Sequence, residues 1–210
     1  DFFSDPHNQN VLDKLDRVAN FFNRCRDENG GLIPIIFRPF HEHTGEWFWW
    51  GEGSCSEEAY VALFQFTVDH LRVERGLTNL LIAFSPAAHT IISEQSYLTR
   101  YPGDVYVDVL GLDYYYGDAS SFNTAEDLIS AIEIAVAAAA ARNKWTALTE
   151  FGIEGSLAND NLDVSRWFTE QFLFPILAND SARRLTYALT WRNADTTHFF
   201  VPYPGHAAEA

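Results

Sequence analysis

A chain of 210 residues, 47% hydrophobic and 15% aromatic, can bury one sizeable core, so a single domain is expected. Its formal charge of −15, from 29 acidic against 14 basic residues, argues strongly against nucleic acid as a partner, because that affinity rests on Lys and Arg neutralising phosphates. No apolar run approaches the roughly 20 residues of a membrane span, two cysteines are too few for a disulfide framework, and no CxxC spacing suggests structural zinc.

The first helix-length segment carries Val11, Leu12, Leu15, Val18, Ala19, Phe22 and Cys25 on one face and charges on the other. Residues 32–37 (LIPIIF) have the length and composition of a strand. Ser54-Cys55-Ser56-Glu57 has a capping-box spelling and opens a second helix running through Leu71. Two further strands are expected over 79–84 (NLLIAF) and 105–112 (VYVDVLGL). Thr124 with Asp127 starts a third helix that ends in the alanine run 135–141. The strand 145–149 (WTALT) follows, then a helix over about 164–177 that Pro175 should kink or shorten, and a last strand over 185–190 (LTYALT).

Strands alternating with helices imply βαβ units and a parallel sheet, either open and doubly wound or closed as a barrel. No Gly-rich phosphate loop follows any strand, which weakens the nucleotide-binding version. Glu42, Asp113, Glu150 and Trp191 instead fall at the C-terminal ends of different strands, where a (β/α)8 TIM barrel keeps its active site. A barrel needs eight strands, and five are visible. Residues 1–210 are therefore expected to be the C-terminal part of one catalytic barrel, strands four to eight, truncated on the N-terminal side. On this placement Cys25 lies at the bottom and Cys55 at the top, too far apart to bond.

Alternation along strands places Ile36, Arg38, Phe40 and Glu42 on one face if no bulge intervenes. It does the same for Val109, Gly111, Asp113 and Tyr115, for Lys144, Thr146, Leu148 and Glu150, and for Tyr187, Leu189 and Trp191. Pointed inward, these faces bring carboxylates, an arginine and aromatic rings to one mouth, as a carbohydrate site requires. Glycoside hydrolysis needs two carboxylates on opposite sides of the scissile bond, one donating a proton and one ionised. Sugar rings also have apolar C–H faces that pack on indoles. About half of Trp47, Phe48, Trp49 and Trp50 should be core instead, because four consecutive aromatics cannot all line one groove. The triplet His41-Glu42-His43 lacks the HExxH spacing of a helical zinc site, so no metal and no cofactor is expected.

The run 37–51, FRPFHEHTGEWFWWG, resembles the acid/base motif of family 26 glycoside hydrolases, the β-mannanase family, written R-x-x-H-E-M-N-G-x-W-F-W-W-G. The stretches DVLGLDYY (108–115), TEFG (149–152) and TWRN (190–193) agree in order and approximate spacing. The resemblance implies a retaining (β/α)8 hydrolase with Glu42 as general acid/base and Glu150 as nucleophile. It implies that His41 and Tyr115 orient the nucleophile, and that Trp47 and Trp191 shape the sugar platform. Arg38, Asp108, Asp113 and Arg192 would hold the surroundings or bind sugar hydroxyls. Parity puts Tyr115 rather than Tyr114 beside Asp113, and it puts His41 opposite Glu42, so a bulge or strand end must turn His41 inward. One departure is His43-Thr44 where the family has Met-Asn; bordering the acid, this pair should alter subsite contacts or the pH optimum.

The expected activity is retaining endo-β-1,4-mannanase action on mannan, galactomannan or glucomannan. A β-1,3-1,4-glucanase, a β-1,3-xylanase and a catalytically silent sugar-binding barrel are the alternatives, with a chelator-sensitive metal hydrolase behind them. The partner is then a polysaccharide and no nucleic acid or membrane, the chain is expected to be a monomer, and so large a substrate implies a secreted, periplasmic or cell-surface enzyme.

Overall fold

Five parallel strands in the order β1-β2-β3-β4-β5 form a curled wall, part of a (β/α)8 barrel. The structure, a computed structural model, describes residues 6–117, 124–153, 157–158 and 166–204. The strands are β1 (Ile35–Phe37), β2 (Leu80–Phe84), β3 (Val109–Tyr116), β4 (Trp145–Ile153) and β5 (Ala188–Thr190). The α-helices are α1 (Pro6–Phe22), α2 (Glu57–Asp69), α3 (Glu94–Tyr97), α4 (Ala125–Ala141) and α5 (Phe174–Ala178). Among the described residues no helix is long and apolar enough to cross a membrane.

The main core lies between the sheet and the helices. Ile82, Phe84, Leu110, Leu112, Leu148 and Phe151 point outward from the strands to meet Phe64 and Leu71 and the alanine-rich face of α4. That face explains the alanine run: small side chains let the helix lie close on the sheet. Ala83, Val109 and Ala147 form a separate inward-facing cluster with Tyr187. Leu15, Ala19 and Phe22 are buried as the first helical stripe predicts, and Cys25 and Cys55 are both free.

Several local expectations are corrected. Helix α2 is capped by Ser56, whose side chain accepts from the Ala59 N–H, rather than by Ser54. Residues 51–55 are instead a turn in which the Cys55 N–H bonds the Gly51 carbonyl. The third strand begins at Val109 and not at 105, because a turn at 104–106 follows the positive-φ Gly103 and leaves Val105 exposed. The helix expected over 164–177 is described from residue 166; a wide π turn, Phe168–Leu173, leads into α5, whose first turn holds Pro175. Proline has no N–H to donate, so the start of a helical segment tolerates it.

The fourth strand carries a register shift. Leu112 pairs with Leu148 but Asp113 pairs with Glu150, so Thr149 is an extra residue in β4. The same shift appears against β5, where Leu148 pairs with Ala188 and Phe151 with Thr190. This is a β-bulge. It reverses the face predicted for Leu148, which lies in the outer core, while Ala147, Thr149 and Glu150 face inward. Residues beyond β1 also leave the predicted alternation. Phe40 and Glu42 have φ of 50° and 51°, and Phe40 packs on Tyr60 and Phe64 rather than beside Glu42.

Candidate active site

Seven of the ten residues singled out from sequence line one cleft of about 640 Å³ at the C-terminal ends of the strands: His41, Glu42, Trp47, Asp113, Tyr115, Glu150 and Trp191. Arg38 lies behind them and joins two carboxylates. Its Nη1 is 2.6 Å from Asp113 Oδ2 and its Nη2 is 2.5 Å from Glu150 Oε2. The Tyr115 hydroxyl donates to Glu150 Oε1, so each oxygen of that carboxylate has its own donor. Tyr114 points the other way, donating to the Thr124 carbonyl, as parity predicts.

Glu42 is held differently. Its backbone N–H donates to the Ser85 carbonyl at 2.7 Å, tying the turn to the end of β2. The Trp47 indole N–H donates to Glu42 Oε2 at 2.8 Å. Trp47 can fold back this closely because a Cβ on Gly45 would lie 2.2 Å from its ring. Trp47 is 56% exposed and presents an indole edge of the cleft. Phe48 lines the cleft and stacks on Trp50 at 4.4 Å, and the Trp50 N–H donates to the His41 carbonyl, bracing the turn.

His41 is turned into the cleft by the two left-handed residues that flank it, and its ring packs against Phe48 at 4.9 Å. Burial and the nearby Arg38 charge bring this imidazole down to about 4, so it is neutral at ordinary pH. Burial raises the Asp113 carboxyl above the ordinary carboxylate range, against the pull of Arg38 and the hydroxyls of Ser85 and Thr149. Burial and the neighbouring Glu150 raise the Tyr115 hydroxyl, which therefore stays a donor.

Three expectations are narrowed or corrected. Asp108 stands at the N-terminal end of β3, away from the mouth, where its Oδ2 accepts from Arg72 Nη2 at 2.5 Å and from the Ile82 N–H at 2.7 Å. It joins β2 to β3, which agrees with holding the surroundings rather than with lining the cleft. Arg192 lies over the Trp191 ring, 5.8 Å from its centroid, and is not among the lining residues. His43 does not border the acid: fully buried, its ring sits 4.6 Å from Tyr60 and 4.8 Å from Phe84, so the triplet's two imidazoles do not converge. Thr44 is buried too, accepting the Ala87 N–H at 3.1 Å and pinning the loop after β2.

That loop and the one after β5 supply lining residues that sequence reasoning passed over. His89 sits 5.9 Å from Trp47, ring to ring. His198 and Phe200 line the side near Tyr115, and the Asn193 side chain anchors their loop through the N–H groups of Phe200 and Val201. Strand-end position marks Ser85 and His89 just as it marks Asp113, so the rule applied to the other strands would have found them.

The family profile described as Glycosyl hydrolase family 26 matches residues 4–162. This chain belongs to glycosyl hydrolase family 26. A mannan endo-1,4-beta-mannosidase of Bifidobacterium adolescentis is 35% identical over 208 residues, covering 94% of this chain and 20% of that protein. Among solved structures, a Cellulomonas fimi endo-beta-1,4-mannanase double mutant superposes with a TM-score of 0.87 at 39% identity, over 96% of this chain and 44% of that one. A family relative from Acetivibrio thermocellus bears the name endoglucanase H; it is 33% identical over 176 residues, 80% of this chain and 19% of that protein. The chain thus spans well under two thirds of the relatives it matches.

Proposed function

We propose that this chain is the part of a retaining endo-β-1,4-mannanase that carries both catalytic carboxylates. The observation that carries the reading is Glu42 and Glu150 lining one cleft in contrasting settings, one against an indole N–H and one clamped by Arg38 and Tyr115. In the first step a Glu150 oxygen bonds to the anomeric carbon, the glycosidic bond breaks, and the departing oxygen takes the proton of Glu42. In the second, Glu42 takes a proton from water, whose oxygen displaces Glu150 from that carbon and frees the sugar. Trp47 and Trp191 offer faces to the sugar rings.

Residues 1–210 supply strands four to eight of one catalytic domain, and three upstream strands close the barrel. The half-exposed apolar side chains on the inner side of the two edge strands, Ile36 at 45% and Leu189 at 51%, support this. A polymeric hemicellulose substrate places the enzyme outside the cytoplasm, in secreted, periplasmic or surface-bound form, and the closed barrel acts as a monomer. A second reading, a β-1,3-1,4-glucanase using the same carboxylates, is favoured by the family relative named as an endoglucanase.

The test uses the chain completed with its upstream strands, incubated with linear mannan, galactomannan, lichenan and β-1,3-xylan beside Glu150→Gln. Rapid shortening of mannan with β-anomers appearing first, abolished in the variant, is the expected result. Preferential cleavage of lichenan or xylan moves the substrate and keeps the mechanism. A folded protein that cleaves none of them refutes the enzymatic reading.

A further inference from the structure

The bulge residue Thr149 is 1% exposed and lies behind Glu150. Its Oγ1 is 2.8 Å from Asp113 Oδ1, 2.8 Å from Ser85 Oγ and 3.0 Å from the Leu112 carbonyl. A threonine hydroxyl has one proton for two of these partners, the carbonyl and the carboxylate. The nearer partner, the Asp113 carboxylate paired with Arg38, is the stronger acceptor and takes it, and Ser85 then directs its own proton to Thr149 Oγ1. The two hydroxyls form a directed pair ending on Asp113, whose other oxygen is the one that holds Arg38.

The chain makes room for this arrangement. A Cβ on Gly111 would lie 2.4 Å from Thr149 Cγ2 and 2.6 Å from its Oγ1, so the strand opposite must carry a glycine there. The bulge and that glycine together put a hydroxyl where a regular strand would have none.

We propose that Thr149, supported by Ser85, is a positioning residue for the nucleophile: its hydroxyl keeps Asp113 in place so that Arg38 stays divided between Asp113 and Glu150. Without that hydroxyl Asp113 has one donor fewer, Arg38 shifts onto Glu150 alone, and the attacking oxygen is both displaced and more heavily neutralised. The inference rests on the assignment of Glu150 as nucleophile.

Two substitutions separate hydrogen bonding from shape in the completed chain. Thr149→Val keeps the branched outline and removes the hydroxyl; Thr149→Ser keeps the hydroxyl and removes a methyl. Thr149→Val is expected to lower kcat about tenfold with KM within about twofold, and to move the acidic limb of the pH profile of kcat/KM downward by about one unit, because a nucleophile more heavily neutralised by Arg38 keeps its charge to lower pH. Thr149→Ser is expected to stay within about threefold of the parent with an unmoved profile. Ser85→Ala, one hydroxyl further back, should move the profile the same way by less, and it decides the matter if Thr149→Val does not fold. An unmoved profile in Thr149→Val, or equal damage in Thr149→Ser, overturns the inference and assigns Thr149 to packing. A parent that cleaves no polysaccharide overturns the functional reading and this inference with it, and is seen before any variant is compared.

Discussion

His43→Met should stabilise the protein, and should do so far more at pH 5 than at pH 7.5. The imidazole is fully buried between Tyr60 and Phe84, and neither ring nitrogen has a hydrogen-bond partner among the described residues. Burial, with Arg100 nearby, lowers its pKa from 6.5 to about 3. Above pH 6.5 neither the folded nor the unfolded chain protonates it, and the linkage contribution vanishes. As pH falls below 6.5 the unfolded chain takes up a proton that the folded protein refuses, so stability drops until about pH 3. At pH 5 this penalty is about 2 kcal/mol, from RT times the logarithm of the roughly 30-fold protonation preference of the unfolded chain. Methionine has a similar volume and no polar ring, so it should gain about 1 kcal/mol at pH 7.5 and about 3 kcal/mol at pH 5. Urea unfolding of parent and variant at both pH values, on the completed chain, gives the difference of differences. Equal gains at the two pH values, or a loss at pH 5, would refute the argument that this imidazole is buried and neutral.

Two other substitutions test separate parts of the site. Tyr115→Phe removes the hydroxyl that donates to Glu150 Oε1 and should cost about 10–100-fold in kcat, matching the roughly 1.5–3 kcal/mol of one hydrogen bond to a charged group; steady-state kinetics showing less than a twofold change would remove Tyr115 from the catalytic machinery. Asp108→Asn weakens the junction with Arg72 and the Ile82 N–H and should lower unfolding free energy by about 1–2 kcal/mol while leaving kcat/KM within about twofold. A tenfold loss of kcat/KM with unchanged stability would return Asp108 to the sugar site.

Much of the architecture was legible because it depends on short-range pattern. Apolar runs separated by helical stripes gave all five strands, and the Thr124 capping box opens α4 where expected, both side chains bonding reciprocally with the backbone. The cleft was legible where chemistry and strand ends coincide, as at Asp113 and Tyr115 on the regular strand β3. Alternation failed wherever the backbone changed phase. The Thr149 bulge keeps Glu150 inward while inverting the residues before it, and positive φ at Phe40 and Glu42 lets an acid and a core aromatic diverge two residues apart. No side-chain periodicity reports either event in a single sequence. His43 was misplaced for another reason: motif proximity says nothing about which side of a turn a side chain occupies.

The two carboxylates rest on backbones of unequal freedom. Glu150 belongs to a central strand with a neighbour on each side, whereas Glu42 rides a turn in which its own N–H donates to the Ser85 carbonyl, its carbonyl accepts from the Gly45 N–H, and side chains brace the rest. A nucleophile serves one carbon atom at one place. A proton carrier must serve two oxygens in turn, that of the departing sugar and that of the incoming water, and these do not occupy one point. On the proposed roles, the attacking group is anchored in the sheet, and the group that serves the leaving portion and then the water is carried by a turn. Substrate range can then drift through the turn and its indole while the bond-forming centre stays fixed.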